Sequence, residues 1–290
     1  MPPFSKHPLT IGIDGRELYP DLPTGIGRYL RNFLDAAVPA YPDCRFIVYG
    51  NQHTALDLQA PNLSLKIIPE TLTFWWDQIT LARALRQDNA DVLLSPYEKG
   101  PYVAPCPVVL TVYDLLFYDI SDRGPFGTWI YNAAHRILRG PLIRRAARVI
   151  TDSLYSKHDI VQKLNVPEQN IRPVPIGIPD SYRPVRDQAR IEAFKKAHDI
   201  KLPYLLYVGN FKPHKNVPRL LEAYAGLPEA LRSDHLLVLC GRKDHHREAV
   251  QAQAQKLGLT PHLRFLDFVD DADMPVLYSG ARLFTFPSLY

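Results

Sequence analysis

Tyr204-Leu205-Leu206-Tyr207-Val208-Gly209-Asn210-Phe211-Lys212-Pro213-His214-Lys215-Asn216 is the stretch that decides the reading of this chain. The apolar run Tyr204–Val208 predicts a buried strand that stops at Gly209, and the spacing beyond it predicts a helix over Val217–Ala225. Strand, short loop and helix make half of a parallel crossover unit. Lys215 stands just ahead of the helix, where an ammonium can reach a phosphate lying over the helix N-terminus. His214 and Lys212 add donors. A basic solvated loop would use the same residues, so the local pattern leaves both readings open.

Outward from this unit, strands and helices keep alternating. Downstream, Leu236–Leu239, Leu263–Leu266 and Leu283–Phe286 read as strands, with helices over Arg247–Leu257 and Ala272–Ala281. Upstream, strands are expected at Thr10–Ile13, Arg45–Tyr49, Leu65–Ile68, Asp91–Leu94, Val108–Val112, Arg148–Thr151 and Ile171–Val174. Helices are expected at Ile26–Ala37, Phe74–Leu85 and Trp129–Ala147, and another from Ser156, with Asp159 placed as in a capping box. Between the two series, Pro175-Ile176-Gly177-Ile178-Pro179-Asp180 and Arg183-Pro184 punctuate the chain without periodicity. The expected fold is therefore α/β, with two Rossmann-like domains whose parallel sheets face a cleft. The domains are 1–175 and 203–290, joined by a linker and hinge at 176–202. The second series ends on a strand, so that domain is expected to be incomplete.

Composition narrows the function classes. The chain has 290 residues, 46% hydrophobic and 22% charged, as expected for a packed two-domain protein. Thirty-four Lys and Arg against 30 Asp and Glu leave a net charge of +4. That excess is too mild and dispersed to call for nucleic acid. It suits a polyanionic small ligand, or weak peripheral contact with an anionic inner membrane face. Cys44, Cys106 and Cys240 lie far apart and form neither a disulfide framework nor a zinc pattern. His245-His246 reads as a solvated loop, since neighbouring residues face different ways. No metal site is expected. There is no apolar leader and no run approaching the ~20 apolar residues of a spanning helix, so the expected location is cytoplasmic.

A second loop, Thr24-Gly25-Ile26-Gly27-Arg28-Tyr29, follows a strand and opens a helix. Its glycines would let backbone N–H groups approach an anion. A tight turn without a ligand is the competing reading. The third fingerprint position is Leu30 and no Gly-Lys-Ser/Thr follows, so neither the dinucleotide fingerprint nor a Walker loop is present. This places an NAD-type oxidoreductase well behind. Trp75-Trp76-Asp77-Gln78 suggests a sugar-stacking patch, but one core Trp and one edge Trp is the favoured reading. Arg139, Arg144, Arg145 and Arg148 read as a basic helix end rather than a lipid-headgroup site.

These loops belong to an ordered series: Thr24–Tyr29, Asp91–Tyr97, Thr151–Lys157, Val174–Ile178, Val208–Asn216, Leu263–Val269 and Phe286-Pro287-Ser288-Leu289-Tyr290. Taken in order, they resemble glycosyltransferase family four, the retaining GT-B enzymes. The resemblance implies a hexosyltransferase of cell-surface polysaccharide synthesis. Its donor would be a nucleoside diphosphate sugar, GDP-mannose favoured, used as co-substrate with no separate cofactor. Its acceptor would be a glycan or lipid-linked hydroxyl held on the first domain. Gly25 and Gly27 would cradle the donor diphosphate, with Gly209, His214 and Lys215 meeting it from the second domain. Phe268, Val269 and Asp270 would border the nucleotide base. Asp114 would lie near the transferred sugar, and Tyr113 and Lys215 join it as the expected catalytic residues.

Three departures bear on that expectation. Position 113 is Tyr where the family has His, and a phenol does not titrate near neutrality. His214 stands where the family often carries Arg. The family's Pro-Ser-x-Tyr runs into Glu-Gly-Phe-Gly and a second Glu, whereas this sequence stops at Tyr290. An inactive truncated remnant is therefore the alternative expectation.

Overall fold

The apolar runs become two sheets in which every described pairing is parallel. The computed structural model describes residues 8–20, 24–116 and 137–290, and divides into the units Met1–Gly177 and Ile178–Tyr290.

The first unit carries β1 (Thr10–Asp14), β2 (Arg45–Gly50), β3 (Leu63–Ile67), β4 (Val92–Ser95), β5 (Val108–Thr111), β6 (Arg148–Thr151) and β7 (Ile171–Pro173), in the order β3-β2-β1-β4-β5-β6-β7. Side chains alternate across the strands, so each sheet face gathers its own core. Phe46 and Val48 of β2 join Leu30, Leu34 and Val38 of the helix Gly25–Ala40 on one face. Ile47 and Tyr49 join Trp76, Leu85, Ile143 and Ile160 on the other.

Several local expectations change. The helix expected at Phe74–Leu85 is three pieces: Thr73–Trp75, a π-helical turn Trp76–Thr80, and Leu81–Gln87. Trp76 is buried and Trp75 exposed. Ser153, not Ser156, caps the helix Leu154–Leu164. Ser153 has extended backbone and its Oγ accepts from Ser156 N, while Asp159 pairs with Lys163 one turn on. Of the Trp129–Ala147 helix, residues 137–145 are helical and 129–136 lie outside the described residues. Pro23 also lies outside them.

The second unit carries β8 (Tyr204–Val208), β9 (Leu236–Cys240), β10 (Leu263–Leu266) and β11 (Leu283–Phe284), in the order β10-β9-β8-β11. Much of the expected linker belongs to this unit. The helix Gln188–Ala197, capped by Asp187, buries Ile191 and Phe194, which pack with Ile200, Leu206, Val238 and Leu277. Charged residues on its outer face mask these few apolar positions in the sequence. The helix His245–Lys256 begins two residues before expectation, capped by Asp244, so His245-His246 occupies a first helical turn rather than a loop. Among the described residues, no helix is long and apolar enough to cross a membrane.

Candidate functional site

Each sheet reverses its strand order once, between β1 and β4 in the first unit and between β8 and β11 in the second. In open parallel sheets the crevice for ligands forms at the carboxyl ends of the strands flanking such a reversal. The residues beyond β8 and β11, and beyond β1 and β4, are therefore where a site is expected.

In the second unit, β8 gives way at Gly209, whose φ of +155° is a conformation that L side chains rarely adopt. Its N–H donates to the Cys240 carbonyl at 2.9 Å. A Cβ on Gly241 would overlap the Gly209 carbonyl oxygen, so the loops after β8 and β9 meet backbone to backbone. The Tyr207 hydroxyl donates to the Asn210 carbonyl at 2.5 Å and shapes the exit from the strand. The chain then makes a 3-10 turn, Pro213–Lys215. Left-handed Asn216 (φ 57°) redirects it into the helix Val217–Ala225.

The segment after β11 is fastened onto that turn. Thr285 N–H donates to the Leu206 carbonyl at 2.7 Å, and Leu289 N–H donates to the His214 carbonyl at 2.8 Å. Ser288 Oγ donates to the same carbonyl at 3.2 Å, and Asn216 Nδ2 donates to the Pro287 carbonyl at 3.2 Å. Lys215 Nζ lies 5.0 Å from the centre of the Phe286 ring. His214 is buried and Lys215 half-buried. The arrangement gathers Gly209, His214 and Lys215 at the sheet reversal, beside a helix N-terminus, a setting suited to an anion.

Phe268, Val269 and Asp270 follow β10. Phe268 is exposed and Val269 buried. The Asp270 carbonyl accepts from Asp273 and Met274 N–H and starts the helix Met274–Gly280. Arg247, absent from the expectations, secures the root of this loop. It is buried, pairs with Asp267, and lies 5.0 Å over the Phe265 ring. Burial pulls its guanidinium below the ordinary value, and its Nε has no hydrogen-bond partner among the described residues.

In the first unit, an ionic knot that the motif reading missed occupies the sheet reversal. Arg16 stands two residues past the end of β1 and is 5% exposed. It binds Asp14 through Nε (3.0 Å) and Nη2 (2.7 Å), Asp77 through Nη2 (2.5 Å) and Glu70 through Nη1 (3.1 Å). Trp76 lies under its guanidinium at 3.8 Å. Burial alone would pull the guanidinium down, but Asp14 and its neighbours outweigh that and hold it above its ordinary value. Burial pushes Asp77 up to about 6 despite the attraction of Arg16. The signal in the sequence was a charged pair, Asp14 and Arg16, set at the end of an apolar strand.

The loop Thr24–Tyr29 lies on the face that carries the helix Gly25–Ala40. Thr24 Oγ1 accepts from Gly27 N–H at 2.9 Å and donates to Glu17 at 2.9 Å. A Cβ at Gly27 would overlap the Glu17 carbonyl, whereas one at Gly25 would meet open space. Gly27 thus serves the helix cap and a close backbone approach, and Gly25 stands at the open end of the helix. Tyr29 meets Tyr113 edge-on, with ring centres 5.7 Å apart. Burial, with Tyr29 and Asp152 nearby, pushes the Tyr113 phenol well up. Asp114 is exposed, and its Oδ1 accepts from Leu116 N–H at 3.0 Å.

Two all-parallel sheets in Rossmann order, each with a helix-opening loop after its first strand, define a protein of the GT-B fold. The chain belongs to the glycosyltransferases of family 4: the model "Glycosyltransferase Family 4" matches residues 23–182, and "Glycosyl transferases group 1" matches residues 188–290. Similar solved structures include HepE of Anabaena in complex with UDP and glucose, with TM-score 0.67 and 18% identity over 97% of this chain and 74% of that one. WaaG, a glycosyltransferase involved in lipopolysaccharide biosynthesis, has TM-score 0.66 and 19% identity over 96% and 75%. The O-antigen chain mannosyltransferase B of Escherichia coli is 29% identical over 145 residues, half of this chain. That match covers 38% of the relative, and the chain spans less than half the length of the curated relatives it matches.

Proposed function

We propose that this protein transfers a hexose, with retention of configuration, from a nucleoside diphosphate sugar to a hydroxyl of a glycan or glycolipid. The observation that carries the reading is Lys215, held at the sheet reversal between the Gly209 loop and the segment Phe286–Leu289. As the glycosidic bond breaks, negative charge grows on the departing diphosphate. An ammonium and backbone N–H groups already in place stabilise that charge without reorganisation. Gly25 is the contribution we assign to the first unit, through the N-terminus of the helix Gly25–Ala40. Phe268, Val269 and Asp270 border the base, and Tyr113 and Asp114 face the sugar. A phenol at 113 supplies a fixed hydrogen bond in place of a titrating imidazole.

The O-antigen mannosyltransferase relatives support mannose as the sugar and an acceptor in surface-polysaccharide assembly, and GDP-mannose is the donor we assign. The test is release of nucleoside diphosphate from GDP-mannose, UDP-glucose and UDP-galactose, with and without mannose-terminated acceptors. The expected result is acceptor-dependent release of GDP from GDP-mannose. Acceptor-dependent release from a UDP-sugar instead would move the donor assignment. No acceptor-dependent release from any donor would overturn the reading.

A further inference from the structure

Arg247 occupies a position that the pattern of its helix reserves for an apolar side chain. It shares the buried face of the helix His245–Lys256 with Val250 and Ala254, at the spacing of a core stripe. Three costs attend a cation there. The guanidinium is buried, with 5% of the residue exposed. It stands in the first helical turn, at the positive end of the helix dipole, where a cation is disfavoured. Its Nε is shielded from solvent and has no hydrogen-bond partner among the described residues. The helix start does not need the side chain, because Asp244 Oδ1 already accepts from the Arg247 N–H at 2.9 Å. A well-packed apolar residue often replaces a buried ion without loss of stability. Arg247 therefore serves geometry rather than stability.

That geometry lies at the carboxyl ends of β9 and β10. Nη1 of Arg247 donates to the Gly241 carbonyl, just past β9, at 3.4 Å, and to Asp267, just past β10. Gly241 N–H donates to the Leu266 carbonyl at 2.9 Å, and Gly241 lies backbone to backbone with the Gly209 loop. One side chain thus registers the loop after β10 against the two loops beside it. Beyond Asp267, Val269 is anchored in the core with Leu266 and Leu277. Phe268, between those two anchors, is 71% exposed. A large ring held on both sides and left bare is a stacking platform, and its complement is a planar aromatic heterocycle.

We propose that Arg247 is a positioning residue for base selection, which through Asp267 fixes Phe268 as the face on which the nucleotide base stacks. The inference rests on the transferase reading for the identity of the ligand as a nucleoside diphosphate. It deepens that reading by separating the grip on the base, set by Arg247, from the grip on the diphosphate, set by Lys215.

The experiment is calorimetric titration with GDP, UDP and inorganic pyrophosphate of the wild-type protein, Arg247→Met, Asp267→Ala and the double variant. Wild type should prefer one nucleotide over the other. Arg247→Met should bind that nucleotide roughly fivefold more weakly, the lower end of one base-stacking contact, and should narrow the preference. Its affinity for pyrophosphate, which carries no base, should stay within about twofold of wild type. Asp267→Ala should match it with the fold intact, because the Asp267 side chain is 67% exposed. The double variant should lose no more than either single variant, because the pair acts as one tie. A purely structural Arg247 would weaken pyrophosphate and nucleotide alike, or lower the melting temperature without touching the preference, and either result would overturn the proposal. Equal affinity of wild type for GDP and UDP, or unchanged nucleotide affinity in both single variants, would overturn it as well. Failure of the transferase reading looks different: the folded wild-type protein would bind neither nucleotide nor pyrophosphate, and both inferences would fall.

Discussion

Leu289 N–H donates to the His214 carbonyl at 2.8 Å, joining the segment after β11 to the turn after β8 across the sheet reversal of the second unit. Lys215, the next residue, is thereby set between a helix N-terminus and the Phe286 ring. Lys215→Ala should lower turnover by roughly 100-fold, on the order of a lost transition-state charge contact. Its melting temperature should stay near wild type, because Lys215 is half-buried and outside the core. Steady-state kinetics and a thermal melt check both halves.

Asn216 serves this geometry in two ways, through its left-handed backbone and through its bond to the Pro287 carbonyl. Asn216→Ala should lose both and destabilise by about 1–2 kcal/mol. Asn216→Gly should retain the turn and lose less. Both should weaken nucleoside diphosphate binding alike, because both free Pro287. Denaturant melts beside calorimetric titrations separate the two effects.

The two glycines of the first loop should behave differently. Gly27→Ala should destabilise by about 1–3 kcal/mol, since its Cβ overlaps the Glu17 carbonyl. Gly25→Ala has open space around it and should leave stability within about 1 kcal/mol of wild type. Urea melts of both variants check this.

The Arg16 knot predicts a pH response. Asp77 has an ordinary value of 3.8, raised in the folded protein to about 6. The folded state therefore holds its proton more tightly than the unfolded state. Its contribution to stability is fully present below about 4 and is lost as pH rises through about 6. Carbon-13 NMR of the Asp77 carboxyl should show a midpoint near 6. Arg16→Met should raise that midpoint further and destabilise by about 3–5 kcal/mol, since it leaves Asp14 and Asp77 buried without their cation.

The alternation of strand and helix was legible because parallel strands buried on both faces must be apolar runs, and β8 and β9 are such runs. The loop that carries Gly209 and Lys215 was legible because an apolar strand ends at Gly209 and a helix-period pattern begins at Val217. The helix Gln188–Ala197 was not: it buries Ile191 and Phe194 beneath a charged face, and flanking prolines suggest a linker. The π turn at Trp76–Thr80 leaves no periodic trace, and it carries Asp77 to Arg16. Motif order therefore located the loops, and the sheet reversals showed which loops meet.

The central claim is that Lys215 receives the diphosphate of a nucleotide-sugar donor. Calorimetric titration of the wild-type protein and of Lys215→Ala with GDP and with UDP tests it most directly. Saturable binding of at least one nucleotide, weakened tenfold or more in Lys215→Ala with the fold intact, is the predicted result. No binding of either nucleotide to the folded wild-type protein, or equal affinity in Lys215→Ala, would contradict it.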